Sequence, residues 1–388
     1  MNEYDRQPNP GTGLRGPRYA RRNQINPTAD AAEDGRWVAA DESGWDGDQL
    51  HGAPRSRYLS VGSVAISDAD AESIVEEIRK ATHLQAPELK FSGAFAGSKN
   101  GTRRPILSGL LAPGGALHGR ASVYLIDKHY FVVAKLIDLF VEEKLYKQGR
   151  DIRGSGQARK MARSLFTEGP RALGAPLFDR LLASTVAFTS QKNRDQRVTP
   201  DDFFDVIEQA WTRSHRRNVT DTLALLRTTR QEATEYVRDA FEPNGTLPQA
   251  LEPLIPTVRA VTEIWSRKLG RVNMLVDDQR ALTDVNLDDI ETDIRDRGYP
   301  EFRYLSRGLH LGHLRRGKSV EHPSLQLADL LSGAGYAVAE RHAGVPNPAG
   351  DDLHSAVVPL IDQMSMLPHD EPAKVARPGA PSVTSRTG

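Results

Sequence analysis

Trp37-Val38-Ala39-Ala40-Asp41-Glu42-Ser43-Gly44 is the stretch that decides how this chain folds. Apolar residues run unbroken into two acids and then Ser-Gly. The pattern predicts a buried strand ending in a turn, with Asp41 at its carboxyl end. Open α/β sheets bind ligands in the crevice outside that end of their strands. A carboxylate held there by a rigid strand is well placed to hold a hard cation. The simpler alternative is that Asp41 and Glu42 only solvate a tight turn.

Two further apolar runs end the same way. Ala121-Ser-Val-Tyr-Leu-Ile126 leads into Asp127, and Val272-Asn-Met-Leu-Val276 leads into Asp277-Asp278. Several acids pointing into one crevice are costly without a cation. Between Asp41 and Asp127 lies Tyr58-Leu-Ser-Val-Gly-Ser-Val-Ala-Ile66, a strand in which Gly62 marks a bend or bulge. Ser67 then caps a helix striped by Ile74, Val75 and Ile78. Glu88-Leu-Lys90 precedes a Gly-rich loop and a short helix around 106–111.

Residues 128–270 read as helical, an insertion or cap over the sheet with a mild basic excess. Thr199-Pro200-Asp-Asp202 is a helix start, with an N-cap followed by Pro at the first helical position. Helical patterns continue over 220–241 and 251–269. Arg213, His215, Arg216 and Arg217 form the densest basic cluster of the segment.

Farther on, Arg303, Arg307, Arg315, Arg316 and Lys318 occur with no acid between 303 and 318. This run is a candidate for backbone-phosphate contact, or a solvated loop. His310, His313 and His322 flank it as candidate proton-transfer groups, with structural roles as the alternative. Pro323-Ser-Leu-Gln326-Leu-Ala-Asp329-Leu-Leu opens an apolar helix. Gln326 and Asp329 share one face of it. A buried Asp329 needs a partner, and Gly333 and Gly335 permit close packing.

Lys+Arg and Asp+Glu both total 51, so the net charge is zero and any nucleic-acid affinity must be local. Without cysteine, disulfides, thiolate metal sites and cysteine nucleophiles are excluded. No apolar run is long enough to span a bilayer. The start, Met-Asn-Glu-Tyr-Asp-Arg, has no apolar signal core. The expectation is a cytoplasmic protein with no membrane partner. Residues 1–35 and 368–388 are expected to be disordered tails.

Taken together, Asp41-Glu42-Ser43-Gly44, Leu59-Ser-Val-Gly-Ser-Val, Glu88-Leu-Lys90, Asp127, Val276-Asp277-Asp278 and Leu325-Gln326-Leu-Ala-Asp329-Leu resemble the family catalogued as domain of unknown function 3800. The resemblance implies a ribonuclease H-like α/β fold, a mixed sheet flanked by helices. Its core would be 36–127 and 271–345, with 128–270 inserted. It also implies phosphodiester hydrolysis with Mg²⁺ or Mn²⁺, in proteins often tied to prokaryotic defence or mobile elements. Carried over, Asp41 is the first-strand acid, Asp127 or Asp277 the central-strand acid, and Asp329 the acid of the last helix. The remaining ligand is open among Glu42, Glu88 and the helix acids Glu72, Glu76 and Glu77. Lys90, Arg315, Arg316, Lys318 and Gln326 are the candidate substrate contacts.

Two other readings compete. In one, Glu88-x-Lys90 belongs to a restriction-type core, which requires both residues on a strand facing Asp41. In the other, the sheet is an inactive scaffold that binds nucleic acid, or a protein partner through the helical insertion.

Overall fold

The computed structural model describes residues 35–48, 50–52, 56–190, 198–241, 250–295 and 310–370, which belong to one compact unit. The expected N-terminal tail, apart from Gly35, lies outside the described residues, as do Arg303, Arg307 and 371–388. The last described residues are placed, with Asp370 paired to Arg163.

Five strands form one mixed sheet in the order β3-β2-β1-β4-β5. They are β1 (Arg36–Ser43), β2 (Tyr58–Val64), β3 (Ala121–Asp127), β4 (Val272–Asp277) and β5 (Leu311–Gly317). β2 is antiparallel to both β1 and β3. β4 runs parallel to β1, and β5 parallel to β4. The two runs that end at Asp41 and Asp277 are therefore nearest neighbours pointing the same way, with Ala40 opposite Val276.

Period-two alternation divides the core. Val38, Ala40, Met274 and Val276 face one way, and Ala39 and Leu275 the other. The second face is covered by α1 (Asp68–Thr82) and α2 (Arg104–Leu111), which precede β3. The first is covered by the segment between β3 and β4. That segment holds α3 (Lys128–Leu136), α4 (Glu143–Lys147), α5 (Gln157–Leu173), α6 (Ala175–Thr189), α7 (Pro200–Arg213), α8 (Arg217–Arg227), α9 (Arg230–Phe241) and α10 (Leu254–Leu269). A π-helical turn, Ile137–Glu142, joins α3 to α4. Thr199 caps α7 in a reciprocal capping box with Asp202. The pattern over 220–241 divides into two helices because the Thr228 and Thr229 hydroxyls donate back to the carbonyls of Leu225 and Leu226.

After β4 come α11 (Asp284–Arg295), then β5, α12 (Pro323–His342) and α13 (Pro348–Val357). α12 lies over β1 and β2 and is buried along most of its length. Gly62 makes this possible. The ladder runs unbroken from Tyr58 to Val64 on both sides, so Gly62 marks neither a bend nor a bulge. Instead, a Cβ built there would lie 2.3 Å from the Ser332 amide nitrogen and 2.5 Å from the Ala328 carbonyl oxygen. Gly333 and Gly335 likewise take Phe91 and Val123 into the space a side chain would fill. Gly62 pairs with Asp41, so the closest approach of helix to sheet falls beside that acid.

Gly62→Ala should therefore push α12 off the sheet, since the obstructing atoms are backbone. The expected loss is on the order of 1–3 kcal/mol, read from urea unfolding. Unchanged stability would overturn this account of Gly62.

Candidate metal centre

Asp41 and Asp277 are next-neighbour positions on parallel strands, which lie about 4.8 Å apart, and they share the face that α12 covers. Asp41 is buried, and its Oδ1 accepts the Glu42 amide at 2.7 Å. Asp329 reaches the same place from the second turn of α12, and its Oδ2 accepts the Phe91 amide at 2.6 Å. Burial, then the charges of Glu42, Asp277 and Asp329, push Asp41 well above the usual carboxylate range. Burial also raises Asp277 and Asp329, and for Asp329 the charges of Glu88 and Asp277 add to it. Asp277 adds to the rise of both Asp41 and Asp329, so the three acids lie within electrostatic reach of one another.

Glu42 faces the other side of the strand, toward α10. Burial first, and the Asp277 charge second, push it up to about 8, with Glu252 adding to the shift. The Glu252 carboxylate is itself engaged by the Trp45 indole at 2.9 Å. The strand end thus presents an acid on each face.

Residues 88–90 contribute from irregular backbone that passes into a π-helical turn, Ser92–Ala96. They lie on no strand, which removes the restriction-type reading of Glu88 and Lys90. α12 pins this backbone twice. The Leu89 amide donates to Gln326 Oε1 at 3.0 Å, and the Phe91 amide to Asp329. Lys90 Nζ lies 3.3 Å from Glu88 Oε1 and is half exposed. Burial works against its ammonium, but Glu88, Asp329 and Asp41 outweigh it and raise Lys90. Lys90 in turn is the cation that lowers Asp277 and Asp329.

Ser319 ties these parts together, and no sequence pattern singles it out. Its amide faces the Asp277 carboxylate, its hydroxyl donates to Glu88, and its carbonyl accepts Gln326 Nε2 at 2.8 Å.

Asp127 stands apart. β2 separates β3 from β1, and Asp127 pairs with Tyr58 while Asp41 pairs with Gly62. Its carboxylate is spent locally. Oδ1 accepts the amides of His129 and Tyr130 as the N-cap of α3, and Oδ2 holds Arg57 at 2.7 Å. It is a structural residue, not a member of the acid cluster. Glu72, Glu76 and Glu77 face solvent on α1, which leaves Glu42 and Glu88 as the neighbouring acids.

The basic candidates divide. Arg315 stacks on Trp37, 4.0 Å from the ring centre, toward the amino end of β1. Arg316 is paired with Asp278 at 2.9 Å and Asp284 at 2.7 Å. Neither joins the cluster. Lys318 is exposed beside Ser319. His322 caps the contact between α12 and α1 through Asp68, at 2.7 Å. His310 and His313 are exposed at β5.

Among the described residues, no group of three or more Asp, Glu or His side chains forms a ready-made metal cage. The donor chemistry still suits a hard divalent cation. Every donor is a carboxylate oxygen, Lys90 is the cation that acts on the acids, and Mg²⁺ needs only a few carboxylates plus water. No helix among the described residues is long and apolar enough to cross a membrane. Comparisons with protein-family models, with curated proteins and with solved structures return no match.

Glu42 is raised from 4.5 to about 8, so the folded state holds its proton more tightly than the unfolded chain does. Its favourable contribution is complete below pH 4.5 and is lost as pH rises toward 8. In EDTA the melting temperature should fall across that window, and Glu42→Gln should flatten the fall. A wild-type profile that rises instead would refute the assignment. The two strand-end acids should also differ in sign. Asp127→Ala leaves Arg57 uncompensated and should cost about 3–5 kcal/mol. Asp41→Asn relieves repulsion and should raise metal-free stability at the upper end of that window, both changes being read from urea melts.

Proposed function

We propose that the protein is a Mg²⁺- or Mn²⁺-dependent nuclease with a ribonuclease H-like fold, of the kind the domain-of-unknown-function 3800 resemblance implies. The observation that carries this reading is geometric: Asp41 and Asp277 end adjacent parallel strands, and Asp329 lies on the helix packed over them. A five-stranded order of 3-2-1-4-5 with only β2 reversed supports the fold.

In this reading Asp41, Asp277 and Asp329 hold the metal, with Glu42 or Glu88 as the further acid. A bound divalent ion supplies Lewis acidity to a phosphodiester and lowers the pKa of water. Lys90 contacts the phosphate, because it is the half-exposed cation directed at the acids. Glu88 and Ser319 aim it by fixing its ammonium and the backbone around it. Gln326 acts through the same backbone rather than on substrate. Lys318 extends the positive rim, while Arg315 and Arg316 are already engaged elsewhere. The partner is nucleic acid.

A second reading, an inactive scaffold, draws on the lack of a ready-made cage among the described residues and on the Phe91 amide that occupies Asp329. Cleavage of labelled DNA, RNA and hybrid in Mg²⁺, Mn²⁺ or EDTA separates the two. The expected result is metal-dependent cutting that drops about 100-fold or more in Asp41→Asn and Asp329→Asn, equivalent to some 3 kcal/mol of barrier. Asp278→Asn should cut normally. Full activity in Asp41→Asn would sink the proposed site. Inactivity together with a wild-type melting temperature indifferent to Mn²⁺ would favour the scaffold.

A further inference from the structure

A partly open pocket lies away from the acid cluster, beside the edge strand β3. Its volume is about 460 Å³, within the range of small-molecule sites. One wall is the C-terminal segment, which extends the sheet. The Met366 amide donates to the Leu125 carbonyl at 2.8 Å, and the Asp127 amide to the Met366 carbonyl at 3.1 Å. These bonds fix the backbone that carries Met364 and Met366. Tyr130 and Phe131 of α3 form the facing wall.

The floor is the π-helical turn Ile137–Glu142. Such turns interrupt the α-helical ladder and occur frequently at functional sites. Here the turn carries Asp138 and Glu142 into the cavity. Burial and the neighbouring Asp138 push Glu142 up to about 8, so near neutrality it holds a proton against the Asp138 carboxylate. Glu142 Oε2 is buried and meets no hydrogen-bond partner among the described residues. A buried acceptor left unmet costs free energy that a donor would recover.

Cations and acids are interleaved around this floor. Lys135 lies 3.0 Å from Asp138, and Arg153 lies 3.6 Å from Glu142 and 3.9 Å from Asp138. Arg159 lines the cavity too and reaches outward to Asp370 at 3.6 Å. With one proton on the acid pair, the three cations face two negative charges, Asp138 and Asp370, which leaves one positive charge in excess.

We propose that this cavity binds a small organic anion carrying an N–H donor. The donor meets Glu142 Oε2, the anionic group meets Arg153 and Arg159, and an apolar or planar body fills the space between Tyr130 and the two methionines. Nucleoside monophosphates and apolar amino acids both have this chemistry.

The test is thermal shift followed by calorimetry on the full chain, with the nucleoside monophosphates in one arm and leucine, methionine and phenylalanine in the other. Saturable binding in either arm is expected, and the responding arm identifies the source. Glu142→Gln should bind as the wild type does, because its amide can donate to Asp138 and keep an acceptor. Glu142→Leu and Arg153→Gln should each weaken binding about tenfold or more, some 1.4 kcal/mol. The melting temperatures of the free variants show whether they fold, and Arg153→Gln alters a half-exposed side chain. No response in either arm at millimolar ligand, or binding that Arg153→Gln leaves unchanged, would overturn the proposal. Nuclease activity is read separately, so either result leaves the acid cluster to its own test.

Discussion

Asp41 and Asp277 carry like charge on neighbouring parallel strands under a helix that excludes most water, and this arrangement opposes folding. Repulsion between desolvated carboxylates is felt strongly because little solvent screens it. The surrounding structure offsets it by close packing. Gly62 lets α12 press onto the sheet beside Asp41, the small residues Ala328, Ser332 and Gly335 keep that approach close, and Gly333 admits Phe91 against the helix. The same approach brings in Asp329, a further acid. Packing and charge are therefore set against each other in one place, and the stability of the metal-free protein should respond to pH and to cations there before it does elsewhere.

Four of the five strands were legible in the sequence because each is an apolar run bounded by a turn or an acid, whereas β5, Leu-Gly-His-Leu-Arg-Arg-Gly, was read only as part of a basic run. Asp41 and Asp277 could be recognised as a pair of strand-end acids. Strand order could not. Only the ladder shows that the strands ending in Asp41 and Asp277 are adjacent while β3 lies beyond β2. Asp127 looked equivalent for that reason. A local signal did separate it: helical residues follow it at once, with Tyr130 and Phe131 on the buried face, as expected after an N-cap. Asp277 is followed by a stretch without helix before α11 begins.

Lys90 and Ser319 show the opposite limit. Neither belongs to a periodic element: Lys90 was reached only through the resemblance carried by Glu88-Leu-Lys90, and Ser319 not at all. Both are placed by contacts between segments far apart in the chain, in which Gln326 bonds to the Leu89 amide and to the Ser319 carbonyl. The helix face shared by Gln326 and Asp329 was legible from their spacing. What that face holds was not, because its partners are backbone amides, which every residue except proline possesses.

The two faces of β1 finally separate two kinds of acid. Asp41 joins Asp277 and Asp329 under α12, where Lys90 supplies positive charge. Glu42, one residue on, points to the α10 side, where the nearest further charge is another acid, Glu252. Strand alternation forces this division, since consecutive residues cannot share a face. An ion drawn to the Asp41 side would still feel Glu42 through the strand end, because Asp277 raises both acids. Neutralising Asp277 should thus ease Asp41 and Glu42 together, which makes Asp277 the coupling point between the two faces of the centre.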